Sequence, residues 1–123
     1  MIYGIGTDMC DVKRIEKLLE KRGDVFIKKI LSDEERAKAP ETITPNWLAK
    51  RFAAKEAVVK AMGTGFVDGL FFGDIKVFNN DAGKPYVELS AKAQAMLPQQ
   101  MNVFLSLSDE KTYALAFAVL EQK

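Results

Sequence analysis

Apolar and polar positions alternate with a period of two at the start of the chain, over Ile2 to Met9. Ile5, Thr7 and Met9 fall on one face, and Gly4, Gly6, Asp8 and Cys10 on the other, which predicts a strand. The two glycines leave room for a backbone or a ligand to come close, with Asp8 at the end of that cleared lane. The period then changes to that of a helix over Val12 to Arg22, with Ile15, Leu18 and Leu19 inward, Asp11 as its cap and Gly23 as its stop. Asp8 lies too far upstream to cap that helix. A short apolar segment over 24–31 follows, and then SDEERAK, where Ser32 and Glu35 make a capping-box pattern.

The longest helical pattern runs through WLAKRFAAKEAVVKAMGTG, from Trp47 to Gly65. Thr44 before Pro45 fits a cap followed by proline at the first helical position, and Gly63 and Gly65 provide the exit. Leu48, Phe52, Val58, Val59 and Met62 form a bulky apolar arc, while Ala49, Ala53, Ala57 and Ala61 recur at i, i+4 on another. Both arcs call for cover. Glu56 and Lys60 share the seam between them, and Arg51 and Lys55 project from the bulky arc. A Glu56–Lys60 salt bridge with the other cations snorkelling is one account of these charges; a binding site is the other. Beyond the helix, the loop over 64–73 carries three glycines among Phe66, Leu70, Phe71 and Phe72, and is too apolar to stand free. DIKVF and YVEL are expected to pair as a hairpin, a short helix to start at Ser90, and VFLSLS and YALAFAVL to form a second hairpin. The last strand has one face of Ala114, Ala116 and Ala118, which a close helix needs; the Ala49 to Ala61 arc is its counterpart. The pattern predicts an α+β fold, a long buried helix on a mainly antiparallel sheet, as a single domain over 1–123.

The composition narrows the chemistry. With 48% hydrophobic and 28% charged residues the chain has a globular make-up, and neither a membrane span nor a signal-peptide pattern is present, so a cytoplasmic location is expected. The single cysteine, Cys10, permits no internal disulfide and reads as a small packed residue. There is no histidine, which excludes a serine–histidine triad, a histidine base and a histidine-ligated metal. Carboxylate and lysine chemistry with a hard, oxygen-preferring cation remains. Asp8 and Glu56 are the candidate magnesium ligands, with Lys60 placed to meet an anion bound to the metal. The Gly63-Thr64-Gly65 turn could offer backbone donors to phosphate, although it follows the helix and lacks the N-terminal dipole. From Lys13 to Lys29 seven cations face three anions, and Arg14, Lys17 and Lys21 share one helix face. Such a face is either a solvated exterior or a docking surface for an acidic partner, where Phe26 or Ile27 adds apolar contact. Nucleic acid is not expected, since basic and aromatic residues are not interleaved.

The pairing of GIGTDMCDVKRI with LAKRFAAKEAVVKAMGTG resembles the holo-acyl-carrier-protein synthases, the short bacterial type of 4'-phosphopantetheinyl transferase. LSDEE, NNDAGKPYVEL and SLSDEKTYALAFAVLE extend the resemblance nearly end to end. It implies transfer of the phosphopantetheine arm of coenzyme A to a serine of apo acyl carrier protein, with release of adenosine 3',5'-bisphosphate, in fatty acid biosynthesis. It implies magnesium on Asp8 and Glu56, Lys60 near the diphosphate, and Arg51, Lys55, Gly63, Thr64, Gly65 and Pro85 in the coenzyme-binding region. It also gives the cationic face of Arg14, Lys17 and Lys21, with Arg22, Phe26 and Lys28, an acidic carrier protein as reader. A homotrimer with sites between subunits is implied too, which would cover the doubly apolar helix and the aromatic loop. The resemblance departs at Asp109, where some members carry histidine, and the coenzyme contact of that histidine is not carried over. A magnesium-dependent hydrolase or nucleotidyl enzyme acting on a phosphate-containing small molecule is the alternative.

Overall fold

The cleared lane on the first strand is filled by helix backbone. In the computed structural model, which describes residues 1–67 and 69–123, β1 (Ile2–Asp11) lies across α4 (Pro45–Met62). A Cβ built on Gly6 would stand 2.8 Å from the Ala61 amide nitrogen and 2.9 Å from Lys60 Cβ, with the Ala57 carbonyl oxygen closer still. Glycine is required there because the two backbones touch.

Between them in sequence come α1 (Val12–Arg22), α2 (Asp24–Ile30) and α3 (Asp33–Lys38). Asp11 caps α1 by accepting from the Lys13 amide at 2.9 Å, and Ser32 and Glu35 close the expected capping box on α3. Thr44 caps α4, Pro45 opens it, and Gly63 ends it with φ of 82°, in the left-handed region. A short 3-10 turn at Phe72–Asp74 leads into β2 (Ile75–Asn79), β3 (Pro85–Leu89), α5 (Ala91–Ala95), β4 (Met101–Asp109) and β5 (Tyr113–Gln122).

The mainly antiparallel sheet expected from sequence is two sheets, both wholly antiparallel. One has the order β1-β5-β4 and the other is the β2-β3 hairpin. Register puts Gly6 opposite Ala118, Asp8 opposite Ala116 and Cys10 opposite Ala114, a row of short side chains on the inner face. The alanines of α4 pack on that row, and Ala49, Ala53, Ala57, Ala114 and Ala118 are fully buried. The opposite arc of α4, with Leu48, Val58, Val59 and Met62, is covered by α1 and β2. Most of both arcs is therefore covered within the chain itself, with Phe52 left half-buried. The outer face of the larger sheet leaves Ile5, Met9, Leu115, Phe117 and Phe104 exposed, and Val25 and Phe71 are exposed elsewhere.

The apolar loop packs inward in part, with Leu70 buried and Phe66 and Phe72 against the core, while Phe71 stays 66% exposed. Asp68, inside that loop, lies outside the described residues. Phe72 stacks on Phe52 at 5.3 Å and lies 4.2 Å from Phe66.

Candidate active site

Two residues beyond Gly6 on the same face of β1, Asp8 emerges past the edge of α4 with its side chain 17% exposed. Lys60, in the last turn of α4, donates to the Thr7 carbonyl at 2.9 Å and to Asp8 Oδ1 at 3.2 Å. Its ion-pair partner is thus Asp8 and not Glu56, one turn earlier, which sets aside the i, i+4 pair weighed from the sequence. Glu56 is half-buried. Burial first, and then the charge of Asp8, raise its pKa above the usual glutamate value, while Lys60 and Arg14 pull it back. Asp8 and Lys60 thus pair directly, and Glu56 lies close enough to feel both charges.

The donors there are carboxylate oxygens, which suit a hard cation such as magnesium. The burial and mutual repulsion of the two acids are what a cation between them would relieve. Among the described residues no cluster of three or more His, Cys, Asp or Glu side chains surrounds a point, so oxygens from water or a phosphate ligand must complete the shell. The residues fit a magnesium ion on those terms. Cys10, nearby and buried, has its thiol pushed up to about 11, chiefly by burial, and stays protonated in the core.

Arg51 and Pro85 come together on another side of the molecule. With Lys50, Asn79, Gly83 and Asp109 they line a cavity of about 350 Å³. The Arg51 guanidinium lies 4.7 Å over the Trp47 ring and donates to Asn79 Oδ1, while its Nε has no partner. Asp109, where the resemblance departs, sits at the rim as a carboxylate already paired to Lys50 at 3.7 Å.

Two expectations are corrected. Lys55 faces no open surface: it is 0% exposed, and its ammonium donates to Glu35 Oε1 at 2.7 Å, the Phe72 carbonyl at 2.9 Å and the Ile75 carbonyl at 2.8 Å. Three hydrogens meet three acceptors, leaving none for a coenzyme. The backbone donors of the Gly63 to Gly65 turn are also taken, since the amides of Gly63, Thr64 and Gly65 all turn back to the Val59 carbonyl, at 3.1, 3.2 and 3.4 Å. The unpaired carbonyls at the end of α4 claim them first. The buried Thr64 Oγ1 of that turn has no partner.

The cationic face divides as well. Arg14, Arg22, Phe26, Phe52, Glu56 and Phe72 share a cavity of about 360 Å³ between α1, α2 and α4, with the Arg14 guanidinium 5.5 Å over the Phe52 ring. Lys17 and Lys21 stand exposed outside it, and Lys28 lines a different cavity, with Arg36 and Glu41. Phe26, expected to offer a surface contact, is 5% exposed and forms cavity wall; the exposed apolar residue of α2 is Val25, at 68%. Sequence reasoning missed Val25, Lys29 and Phe52 as neighbours of Glu56. The i, i+4 spacing of Phe52 and Glu56 was a signal for the last of these.

An α+β fold with paired acids, a lysine across from them and a cationic helix face beside them defines a class that comparison identifies. The chain belongs to the 4'-phosphopantetheinyl transferase superfamily, whose model matches residues 4–118. Within it, the chain is 48% identical to the holo-acyl-carrier-protein synthase of Vibrio parahaemolyticus over 124 residues, 98% of each chain. It is 43% identical to that of Hydrogenovibrio crunogenus over 127 residues, covering 100% of this chain and 99% of the relative. Among solved structures, the holo-acyl-carrier-protein synthase of Neisseria meningitidis superposes with a TM-score of 0.89 at 44% identity, covering 99% of this chain and 100% of that one. The Bacillus anthracis synthase in complex with CoA (3',5'-ADP) gives 0.84 at 40% identity, covering 100% and 99%.

Proposed function

We propose that this chain transfers the 4'-phosphopantetheine group from coenzyme A to a serine of apo acyl carrier protein, releasing adenosine 3',5'-bisphosphate, as one cytoplasmic catalytic domain. The Asp8–Lys60 pair within electrostatic reach of Glu56, which lines a cavity with Arg14 and Arg22, carries the reading. Asp8 and Glu56 would hold magnesium, which when bound neutralises diphosphate charge and orients the phosphorus for in-line attack. Lys60 already holds Asp8, and its side chain is 52% exposed, where a phosphate oxygen can reach it. In the reaction the serine oxygen–phosphorus bond forms as the bond from phosphorus to the adenosine phosphate oxygen breaks. The serine proton passes to Glu56 or to a water beside it, and Lys60 stabilises charge on the leaving phosphate. Arg14, Lys17, Lys21, Arg22 and Lys28 attract the acidic carrier. Arg51, Pro85 and Thr64 are the remaining coenzyme contacts of this reading.

The exposed apolar face of the larger sheet supports a homotrimer with sites between subunits, and sedimentation as a monomer at micromolar concentration refutes that part. The reaction itself is tested by mass spectrometry of apo carrier protein incubated with the chain, coenzyme A and magnesium. The carrier is expected to gain the mass of the arm. Coenzyme A cleavage with no change in the carrier refutes the transferase reading in favour of a hydrolase.

A further inference from the structure

Lys55 is a fully buried lysine that the proposed chemistry does not use. Its partner Glu35, 3% exposed, is equally committed: Oε1 also accepts from the Ser32 amide at 3.1 Å, and Oε2 from the Val77 amide at 3.1 Å. The pair therefore joins four pieces of chain: the start of α3, the middle of α4, the Phe72–Asp74 turn and β2. Apolar residues of similar volume would stabilise such a spot at least as well, because two charges must be taken out of water to form the pair. What apolar packing cannot do is fix one position. Three directed hydrogen bonds from one ammonium can all be made only when the Phe72 and Ile75 carbonyls stand in a single place relative to α4.

That place matters for the cavity beside Glu56. The Phe72 side chain is one of its walls and stacks on Phe52, another wall, one turn of α4 before Glu56. The Arg51 cavity shares no residue with it. We infer that Lys55 is a positioning residue, whose clamp on the Phe72 and Ile75 carbonyls holds open the carrier-protein cavity next to Glu56 without touching the coenzyme. The identity of the cavity's occupant rests on the transferase reading; the clamp itself does not.

Two variants test it, since Lys55→Met alone leaves Glu35 buried and unpaired: Lys55→Met, and Lys55→Met combined with Glu35→Gln. Amide hydrogen–deuterium exchange over 70–77 is expected to quicken by about tenfold or more in whichever variant folds, as the clamp no longer restrains that segment. Steady-state kinetics of the same variant are expected to show the KM for carrier protein raised about tenfold, with the KM for coenzyme A changed by less than about twofold. A KM for coenzyme A raised as much as that for carrier protein means that the clamp sets the Arg51 cavity as well, through β2 and its Asn79, and overturns the inference. So does quickened exchange with both KM values unchanged, the mark of a merely structural role, and so does unchanged exchange. If the unaltered chain transfers nothing, the transferase reading fails by itself, and the exchange result alone decides whether the clamp exists.

Discussion

Gly6→Ala puts one methyl group between β1 and α4. In the structure that methyl would stand 2.8 Å from the Ala61 nitrogen and 2.9 Å from Lys60 Cβ, with the Ala57 carbonyl oxygen nearer than either. Ordinary contact needs about 3.4 Å or more, so the strand and helix must separate by about an ångström, and backbone on both sides resists. Overpacking of this kind costs about 1–3 kcal/mol, and the upper end is expected here because no flexible side chain can yield. The second consequence is catalytic. Asp8 is two residues along the same face, and Lys60 is among the groups the methyl strikes, so the 3.2 Å Lys60–Asp8 contact is lost as the backbones part. A displacement of about 1 Å at a reacting centre costs about 10²-fold in rate. The control is Gly73→Ala, whose methyl would meet Ser32 at 3.7 Å, ordinary contact, with no positive φ to strain it. That change is expected to be neutral or to stabilise by about 0.4–1 kcal/mol through the unfolded chain. Guanidinium unfolding and transfer kinetics on both variants make the comparison. If Gly6→Ala matches Gly73→Ala in stability and rate, the argument from backbone contact is wrong.

Asp8→Asn and Glu56→Gln are each expected to lower the transfer rate by about 10²-fold or more while changing unfolding free energy by less than about 1 kcal/mol, since both acids sit at a partly exposed edge. Wild-type rates in either variant at saturating magnesium remove the metal proposal. Reversing charge with Arg14→Glu and Lys21→Glu should raise the KM for carrier protein about tenfold and steepen little in KM for coenzyme A; equal effects on both count against the docking face. Burial pulls Lys55 down to about 8 from its ordinary 10.5, against the opposing charge of Glu35. Between those values the unfolded chain binds more protons than the folded one, so the contribution of Lys55 to stability rises as pH rises from about 8 to 10.5. Unfolding curves of the unaltered chain and the Lys55→Met, Glu35→Gln double variant across that range should converge or diverge in that sense; a pH-independent difference contradicts it.

Local signals announced most of the architecture. Asp11, Ser32 and Thr44 each cap the helix that their position suggested, and Gly63 takes the left-handed conformation that ends α4. Gly4, Gly6 and the alanine row of β5 were readable as a close-approach surface because small residues at period two have no other use on a buried strand face. What periodicity could not show was the split into two sheets, because that depends on which edges pair. Nor could it show that the large residues on the other face of β5, Leu115 and Phe117, are left uncovered within the chain.

The site was readable where one element supplied both the residue and its direction, and unreadable where a distant partner decided the role. Asp8 could be placed from β1 alone, at the end of a lane cleared by Gly4 and Gly6. Lys55 could not, because its role depends on Glu35, twenty positions earlier, and that glutamate already had a sufficient local explanation as the N3 member of a capping box. One carboxylate serves both: it caps α3 and neutralises a lysine that α4 carries into the core. Adjacent residues on α4 consequently take opposite parts. Lys55 turns inward and is saturated by protein acceptors, whereas Glu56, about 100° further round the helix, reaches the edge of β1 and keeps a partly open environment. A motif of neighbouring lysine and glutamate invites the reading that both serve the ligand. The α-helical rotation between them separates the group that holds the framework from the group that faces the chemistry.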